Sequence, residues 1–409
     1  MAVNLSPPEN LLPVRGVHLS TVASEMRYIG RDDVLLMVFD AAAKTAAVFT
    51  KNRYCAAPVV IAKKHMAKNT PKQATRALLI NAGNANAGTG KQGEEDALQC
   101  CEQVAKKLGC EVEQILPFST GVIGMPLPMS TFLSGIDSAI EQQGEADWYA
   151  AAKSIMTTDT IAKAYSEQIV IAGDNVTVTG IAKGSGMICP NMATMLSYIV
   201  TDAKVSEEVL QAMVSNAAKQ SFNCITVDGD TSTNDALTLT ATGKVGEKEL
   251  QQGEKETQQL AEAINSIAIK LAKAIIRDGE GATKFVEINV SGGDSKNDCA
   301  VVAYTIAHSP LVKTALFASD PNWGRILAAV GRAPIECLNI EEVDISVNGV
   351  AIIESGEPSH SYSEELGQKA FMAEEIVMDI VLGDSQEHCR IWTNDLSHDY
   401  VSINADYRS

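Results

Sequence analysis

The chain has 409 residues, of which 45% are apolar and 21% are charged, as in a globular protein with a sizeable core. Its length predicts two or three domains or one large interleaved unit. Because 51 acidic residues outnumber 33 basic ones, giving a formal charge of -18, and no basic run is interleaved with aromatic residues, the sequence excludes nucleic acid as a partner.

Nothing in the sequence predicts export or insertion into a membrane. No stretch of about 18 uninterrupted apolar residues is present, and residues 1–16 lack the charged start and the apolar core of a secretory signal. The nine cysteines are scattered, and none forms a CxxC pair, which argues against a disulfide framework and a zinc site. We therefore expect reduced thiols, no metal, no membrane partner and a cytoplasmic location.

Three segments have the periodicity of amphipathic helices. Residues 94–109 repeat apolar side chains at helical spacing and end at Gly109. Residues 206–220 begin with Ser206, a favourable N-cap, which acidic residues follow in the first turn. A third apolar stripe stops at Gly279. The members of that stripe are Leu260, Ile264, Ile267, Leu271 and Ile275.

The C-terminal part of the chain predicts strands. Residues 342–353 alternate apolar and polar side chains around Asn348-Gly349, a pair that favours a tight hairpin turn with positive φ. Residues 375–383 and 389–393 predict another strand pair. Because strands do not alternate strictly with helices, we expect an α/β (α+β) layered fold with mostly antiparallel sheets covered by helices, rather than a doubly wound parallel sheet.

The residue types considered alone offer few conventional catalytic motifs. The six histidines lie in no G-x-S-x-G or H-E-x-x-H pattern, so a histidine-based triad has little support. The acidic stretch "DGDTSTND" lacks the spacing and the terminal glutamate of an EF-hand loop. The sequence therefore points to no metal site and to no nucleophile that a histidine activates.

One boundary suggests a different chemistry. "KGSGMICPNMATMLSYIV" runs from Lys183 to Val200 and passes from a loop rich in glycine and proline into an apolar strand at Thr194. If the chain is cut after Ala193, the new α-amine of Thr194 can act as the base for its own hydroxyl. The hydroxyl could also cut the chain itself, through an N-to-O acyl shift. From residue types alone, an ordinary β-branched strand start is the simpler interpretation.

A resemblance to a known family favours self-cleavage at Thr194 over an ordinary strand start. The boundary stretch resembles the self-cleavage signature of the ornithine acetyltransferase family, also called the glutamate N-acetyltransferase family, of arginine biosynthesis. Further blocks resemble the family in the family's order and cover essentially the whole chain, so the combination is far more specific than any one block. These blocks are "INAGNANAGTG" (80–90), "PFSTGVIG" (117–124), "IMTTDT" (155–160), "VDGDTSTND" (227–235), "RDGEGATKF" (277–285), "SDPNWGR" (319–325) and "DLSHDYVSINADYRS" (395–409).

The resemblance implies a cut between Ala193 and Thr194, which gives an α chain of residues 1–193 and a β chain of residues 194–409. Thr194 would be the nucleophile, and the hydroxyl and the backbone N–H of the "STG" block would form the oxyanion hole. The family fold is a layered α/β sandwich of the N-terminal-nucleophile type, in which the two chains interlock and commonly assemble as α2β2. The oxyanion-hole residues that the resemblance implies are Thr120 and Gly121.

The resemblance also implies the reaction, a ping-pong transfer of acetyl from N2-acetylornithine to glutamate through acetyl-Thr194. Lys183 suits a substrate α-carboxylate, and Glu280 could attract the δ-ammonium of ornithine. Ser409 stands where many relatives carry threonine, which keeps a hydroxyl. The full set of implied substrate contacts is Thr157, Lys183, Thr194, Glu280, Asn404 and Ser409.

Three alternatives stay open at this point. The enzyme could also acetylate glutamate from acetyl-CoA, as some relatives do; otherwise the resemblance implies no cofactor. A self-cleaved aminopeptidase or amidase of similar fold would resolve the acyl-enzyme with water instead of glutamate. An uncleaved binding protein without enzymatic activity would remain a single chain.

Overall fold

The computed structural model of the protein describes residues 2–40, 43–68, 74–189 and 195–405. The chain divides into two compact units. The larger unit comprises Ser6–Asn223 and Thr231–Ile275, and the smaller unit comprises Met1–Leu5, Cys224–Asp230 and Ile276–Ser409.

Within the described part of the larger unit, nine strands form two sheets. The four-stranded sheet has the order β1-β2-β4-β5, and the five-stranded sheet has the order β3-β9-β8-β7-β6. The strands are β1 (Val17–Val22), β2 (Val34–Phe39), β3 (Lys44–Phe49), β4 (Ala77–Asn84), β5 (Ile115–Val122), β6 (Lys163–Ile171), β7 (Asp174–Lys183), β8 (Leu196–Val205) and β9 (Ala236–Leu250).

Apolar side chains of both sheets meet in one core. Phe118 of β5 and Tyr198 of β8 are both buried, and their rings pack edge to face with centroids 5.3 Å apart, the geometry that aromatic quadrupoles favour. Buried residues such as Leu35 and Ile181 fill the rest of this layer from the two sheets. The two sheets therefore form a sandwich, as the layered fold predicted from the sequence requires.

Helices cover both outer faces of the sandwich. One set packs on the four-stranded sheet through Val104, Phe132 and Ile136, and α6 packs on β7, where Ile267 and Leu271 lie against Gly180. The helices of the larger unit are α1 (Ala57–Lys68), α2 (Gly90–Leu108), α3 (Met129–Glu141), α4 (Trp148–Ser154), α5 (Glu207–Gln220) and α6 (Lys255–Arg277), whose last two residues belong to the smaller unit.

The helix predictions are confirmed. α2 ends at Gly109, which adopts a left-handed conformation with φ +64°, as a C-cap glycine does. The side chain of Ser206 accepts a hydrogen bond from the backbone N–H of Val209 and caps α5. α6 ends at Arg277, two residues before Gly279.

The smaller unit is one six-stranded sheet with helices packed on it. Its strand order is β13-β12-β11-β14-β10-β15, and its core joins the sheet to α7 and α9 through residues such as Val302 and Ile326. Its elements are β10 (Phe285–Gly292), α7 (Lys296–Ala307), α8 (Pro310–Phe317), α9 (Trp323–Gly331), β11 (Asp344–Val347), β12 (Val350–Glu354), β13 (Glu357–Pro358), α10 (Glu364–Met372), β14 (Glu375–Val381), β15 (Ser385–Asn394) and α11 (His398–Ala405).

The predicted hairpin is confirmed, whereas one predicted pairing is wrong. Asn348 and Gly349 both have positive φ, at 46° and 76°, and join β11 to its antiparallel partner β12. Residues 375–383 and 389–393 do contain strands, β14 and β15, but these strands do not pair with each other. Strand β10 lies between them, parallel to β14 and antiparallel to β15.

The sheets are mostly antiparallel, as predicted. Among the described strands, nine pairs are antiparallel and three are parallel.

No single helix of the described ranges is long and apolar enough to cross a membrane. The pair α7 and α8, taken together, meets the same criteria of length and composition, but the chain bends by 57° between them.

Candidate active site

The predicted cleavage and nucleophile residues, Ala193 and Thr194, lie in segment 190–194, which is outside the described residues. The structure does describe the strands on both sides of that segment. β7 ends at Lys183, β8 begins at Leu196, and these two residues pair in the five-stranded sheet. The chain therefore returns to one end of the sheet on both sides of the predicted cleavage site.

At this end of the sheet, Lys183 contacts the predicted oxyanion residue Thr120. The ammonium group of the half-buried Lys183 donates a hydrogen bond of 2.9 Å to Oγ1 of Thr120, which is buried on β5. An ammonium group can only donate, so Oγ1 is the acceptor and its own hydrogen remains to be donated elsewhere. Such an oriented hydroxyl is the kind of donor that stabilises a negatively charged oxygen.

The next residue, Gly121, has a conformation that only glycine accommodates. Its φ is +134°, and a Cβ atom there would overlap the backbone of Gly83 and Asn84 on the neighbouring strand. The pairing of β4 with β5 shifts in register at the same place. The close approach explains the glycine of the "STG" block, whereas the use of its N–H as an oxyanion donor stays a prediction.

The buried carboxylate of Asp159 binds the backbone of Thr157, before β6, and of Gly184, directly after Lys183. Oδ2 of Asp159 accepts a hydrogen bond of 3.0 Å from the backbone N–H of Thr157. Oδ1 accepts hydrogen bonds of 2.7 Å from the backbone N–H of Gly184 and from the ammonium of Lys163. Asp159 therefore positions two residues of the predicted site, Thr157 directly and Lys183 through its neighbour Gly184.

The electrostatics of this carboxylate are set by its cations. Burial acts to raise the pKa of Asp159, but Lys163, Lys183 and the hydrogen bonds outweigh burial and hold the pKa well below its usual range. The side chains of Asp159 and Lys163 are fully buried as an ion pair. Such a pair is strongly destabilised when one partner is removed, because the other charge stays buried without compensation.

A second feature near Thr120 is the segment of residues 231–236, which we call the bridging segment. Within it, the side-chain amide of the buried Asn234 donates to the backbone carbonyls of Ala85, at 2.6 Å, and Ser119, at 2.9 Å. Ser119 directly precedes Thr120 on β5. Asn234 thus fixes the strand that carries the predicted oxyanion residues to the loop after β4.

The other predicted substrate residues lie in the smaller unit. Glu280 is buried in the turn between α6 and β10, and its Oε2 accepts a hydrogen bond of 2.7 Å from the side-chain amide of Asn404 on α11. Oδ1 of Asp395 accepts from the backbone N–H groups of Thr283 and Lys284 and fixes the end of this turn. The predicted pair is thus brought together, while Ser409 lies outside the described residues.

The surroundings of Glu280 carry negative charge. Burial raises the pKa of Tyr400, and the nearby carboxylates of Asp228, Glu280 and Asp230 add to that rise. The Tyr400 hydroxyl donates a hydrogen bond of 3.4 Å to Oδ2 of Asp228. The negative electrostatic field around Glu280 suits a cationic group of a substrate.

Across the described ranges, no cluster of three or more His, Cys, Asp or Glu side chains could hold a metal ion.

Sequence reasoning missed Asp159, Lys163 and Asn234. Asp159 and Lys163 carry opposite charges four residues apart, a spacing that signals a possible ion pair. The spacing does not reveal that the pair is buried, and its burial is the reason that the pair matters for stability. The stretch that contains Asn234 drew attention only as a possible calcium loop and as a family block. Its contacts with β5 connect residues 115 positions apart, so local sequence could not predict them.

Comparison with known proteins finds a family that the sequence matches. The sequence profile of the ArgJ family matches residues 18–409. The chain is 49% identical over 410 residues to the arginine biosynthesis bifunctional protein ArgJ of Pseudomonas fluorescens. It is 48% identical over 411 residues to the protein of the same name from Psychrobacter arcticus. Both alignments cover 100% of this chain and 100% of the relative.

Among solved structures, the chain is similar to the arginine biosynthesis bifunctional protein ArgJ of Bacillus halodurans. The identity is 38%, the TM-score is 0.49, and the alignment covers 52% of this chain and 99% of that chain.

The buried ion pair gives a first prediction. Replacing Asp159→Asn removes the carboxylate of a fully buried ion pair with Lys163, so the free energy of unfolding at pH 7 should fall by about 3–5 kcal/mol. A lowered pKa in the folded state stabilises the protein above the ordinary carboxyl pKa and loses that effect as the pH falls toward the folded-state value. The deficit of the variant should therefore persist at neutral pH and shrink below about pH 4.

Urea denaturation of the wild-type protein and the variant measures this difference. The double variant Asp159→Asn/Lys163→Met, which removes both charges, is the matched control and should recover much of the loss. Wild-type stability of the single variant would contradict the assigned role.

Proposed function

The chain belongs to the ArgJ family, and from that premise we propose that it transfers the acetyl group of N2-acetylornithine to glutamate, giving ornithine and N-acetylglutamate. It is an acyltransferase of arginine biosynthesis that acts on small molecules. The observation that carries the proposal is the similarity of 48–49% identity over the full length to relatives named arginine biosynthesis bifunctional protein ArgJ.

The proposed nucleophile is Thr194, freed by a cut after Ala193 that leaves chains of residues 1–193 and 194–409. An α-amine has an ordinary pKa of about 7.7–8.0, so it can take the hydroxyl proton of the same residue without a histidine. The strand pairing supports this division, because β7 precedes the cut, β8 follows it, and the two strands are paired. The two chains would share one sheet and stay associated.

The transfer then proceeds in two steps. Oγ of Thr194 attacks the acetyl carbonyl while its proton passes to the α-amine; the C–N bond of acetylornithine breaks, and ornithine leaves with that proton. The amine of glutamate next attacks the acetyl ester, and N-acetylglutamate departs as the Thr194 hydroxyl forms again. Because the first product leaves before the second substrate reacts, the kinetics should be ping-pong.

The contact between Lys183 and Thr120 supports an oxyanion hole in both steps. The Thr120 hydroxyl already accepts from Lys183, so its hydrogen can be donated to the oxygen that becomes negative. The N–H of Gly121 is the proposed second donor. Preformed donors of this kind each contribute roughly 3–4 kcal/mol to transition-state stabilisation.

We propose substrate contacts from residues of each of the two units. Lys183 has three donors, so it can hold Thr120 and also meet the α-carboxylate that both substrates carry. Thr157, which Asp159 positions, and Ser409 are the proposed hydroxyl contacts. Because Glu280 and Asn404 lie in a field of carboxylates, they suit the δ-ammonium of ornithine.

The role proposed for Glu280 predicts a change in one KM value only. Glu280→Gln should raise the KM for acetylornithine and not that for glutamate. Equal effects on both KM values would refute this assignment.

A second activity is the acetylation of glutamate from acetyl-CoA, which would serve as an additional donor rather than a bound cofactor. The observation that favours it is the word bifunctional in the names of the full-length relatives. Release of free CoA from acetyl-CoA, dependent on glutamate, tests this activity. CoA release at the uncatalysed rate would restrict the enzyme to acetylornithine.

An amidase or aminopeptidase activity is the alternative from another class. Water rather than glutamate would then resolve the acyl-enzyme. Acetate release from acetylornithine in the absence of glutamate, at the rate of the full transfer, would favour this alternative.

For the assembly we propose an α2β2 heterotetramer in the cytoplasm. The shared five-stranded sheet supports the association of one α chain with one β chain, and family membership suggests the doubling. Light scattering of the purified protein gives the molar mass, and a value for a single α–β pair would contradict the tetramer.

The cleavage proposal predicts the outcome of Thr194→Ala. This variant lacks the attacking hydroxyl, so a denaturing gel should show one full-length chain, and acetyl transfer should be abolished. Thr194→Ser is the matched control, because it keeps a hydroxyl, and it should yield two chains and measurable transfer. Two chains from Thr194→Ala, with wild-type N-terminal sequences, would rule out self-cleavage by this residue.

The oxyanion proposal predicts a kcat effect at Thr120. Thr120→Val replaces the hydroxyl with a methyl group of similar size and should lower kcat about 10²–10³-fold, because one oxyanion donor is lost. Thr120→Ser keeps the hydroxyl and should retain most of the activity. Steady-state kinetics on the cleaved enzyme measures both, and an unchanged kcat for Thr120→Val would remove Thr120 from the mechanism.

A further inference from the structure

A buried lysine of the smaller unit, Lys313 on α8, has no role in the reaction described so far. The residue is 4% exposed. Its ammonium group donates hydrogen bonds to three oxygens: Oγ1 of Thr393 at 3.1 Å, Oδ1 of Asn394 at 3.1 Å, and the backbone carbonyl of Asn394. An ammonium group has three hydrogens, and the pairing that a buried charge requires is thus supplied entirely by the end of β15.

The end of β15 runs into residues 393–397, which we call the supporting segment, and this segment is attached to the turn that carries Glu280. The carboxylate of Asp395 accepts hydrogen bonds of 2.8 and 2.9 Å from the backbone N–H groups of Thr283 and Lys284, which follow Glu280 in the turn. The same carboxylate accepts from the hydroxyl of Thr283. Three hydrogen bonds therefore tie the turn to the supporting segment.

The supporting segment also contacts the turn on both sides of Glu280, at two glycines. A Cβ atom on Gly279 would lie 2.0 Å from Nδ2 of Asn394, and a Cβ atom on Gly281 would lie 2.5 Å from Oγ of Ser397. Only residues without a side chain allow so close an approach. Because the packing leaves no gap between the turn and the segment, a displacement of the segment is passed to the backbone of Glu280.

The amide of Asn394 depends on Lys313 for its orientation. Its Oδ1 accepts from the ammonium group, whereas its Nδ2 has no hydrogen-bond partner among the residues that the structure describes. Since an ammonium group can only donate, it must face the amide oxygen, and Nδ2 is turned the other way, toward Gly279. The charge of Lys313 therefore fixes the surface on which the turn packs.

The second predicted substrate residue is attached to the same segment. Helix α11 begins at His398, directly after the supporting segment. From this helix, the side-chain amide of Asn404 donates a hydrogen bond of 2.7 Å to Oε2 of Glu280. Two connections therefore lead to the carboxylate of Glu280, one through the turn and one through α11, and both start from the segment that Lys313 binds.

We propose that Lys313 is a positioning residue for the reaction, whose ammonium group holds the supporting segment and thereby orients Glu280 and Asn404 for binding acetylornithine. In this role Lys313 does not contact the substrate and acts only through these two residues. The inference rests on the proposed function, because it requires Glu280 and Asn404 to bind the δ-ammonium of acetylornithine.

The charge of Lys313 depends on pH in an accessible range. Burial lowers the pKa of Lys313 to about 8, although the carboxylates of Asp395 and Asp228, which face it, act in the opposite direction. His308 also faces this cation, but burial lowers the pKa of His308, so its imidazole is neutral where Lys313 titrates. The ammonium group is therefore present below about pH 8 and lost above it, and the KM for acetylornithine should rise as it is lost.

The test uses Lys313→Met, which keeps a side chain of similar length without the charge or the donors. Ser309→Ala is the matched control, because the hydroxyl of Ser309 caps α8, the helix that carries Lys313, by accepting from the N–H of Val312. The control weakens the same helix but leaves the ammonium group and its three contacts in place. Steady-state kinetics on the cleaved enzymes, from about pH 6.5 to about pH 9.5, gives kcat and both KM values.

At pH 7, Lys313→Met should raise the KM for acetylornithine about tenfold, with the KM for glutamate changed less than about twofold and kcat less than about threefold. The difference from the wild type should disappear above about pH 9, where the wild-type lysine has also lost its charge. Ser309→Ala should keep both KM values of the wild type. An unchanged KM for acetylornithine in Lys313→Met at pH 7, or an equal rise in both KM values, would overturn the proposal.

A double variant distinguishes positioning from a general loosening of the unit. If Lys313 acts through Glu280, the change Lys313→Met has little left to disturb once Glu280→Gln is present. The double variant should then have a KM for acetylornithine within about twofold of that of Glu280→Gln alone. A KM that rises by the product of the two single effects would show that Lys313 acts independently and would overturn the proposal.

The pH dependence of the wild-type enzyme covers the case in which Lys313→Met does not fold. The KM for acetylornithine should rise severalfold between about pH 7 and about pH 9.5, and Glu280→Gln, which lacks the charge that Lys313 orients, should lose this rise. A KM of the wild type that stays constant over this range, or the same rise in Glu280→Gln, would contradict the assigned role.

Failure of the inference is distinguishable from failure of the proposed function. If the wild-type protein does not transfer acetyl from acetylornithine to glutamate, the proposed function fails whatever Lys313 does. If transfer occurs and Glu280→Gln raises the KM for acetylornithine, but Lys313→Met behaves as Ser309→Ala does, the inference alone fails.

Discussion

The hydrogen bond from Lys183 to Thr120 is the contact on which the rest of the site depends. It joins the end of β7, in the five-stranded sheet, to β5, in the four-stranded sheet, at one end of the sandwich. Further hydrogen bonds fix the backbone of both partners. Asp159 binds the backbone next to Lys183, and Asn234 binds the backbone next to Thr120. A lysine and a threonine that would be unremarkable on a surface thereby become an oriented pair of donors.

The five-stranded sheet shows how the two chains of the proposed cleavage would stay together. Strands β7 and β8, which flank segment 190–194, are paired with each other, and β9 pairs with both β8 and β3. A break in the chain between Ala193 and Thr194 leaves all of these pairings intact. Hydrogen bonding between strands and the apolar core between sheets, rather than covalent continuity, would hold the α and β chains together.

Local sequence predicted the elements that local physics determines. The Ser206 cap, the glycine after α2 and the Asn348-Gly349 turn each rely on the backbone preference of a few adjacent residues, and each is confirmed. The predicted pairing of residues 375–383 with residues 389–393 was wrong, because contacts between distant parts of the chain, rather than local sequence, determine which strands pair. The support for the site was missed for a related reason: Asn234 acts through contacts distant in sequence, and the importance of Asp159 comes from its burial, which local sequence does not reveal.

In the proposed reaction, an acetyl group is carried by a threonine that begins its own chain. The most direct measurement is peptide mass spectrometry of the wild-type enzyme, quenched with acid after mixing with N2-acetylornithine in the absence of glutamate. We expect a β-chain peptide that starts at Thr194 and carries one acetyl group, which is absent once glutamate is added before the quench. An acetyl group on another residue, or a chain that continues unbroken through Ala193 in active enzyme, would contradict it.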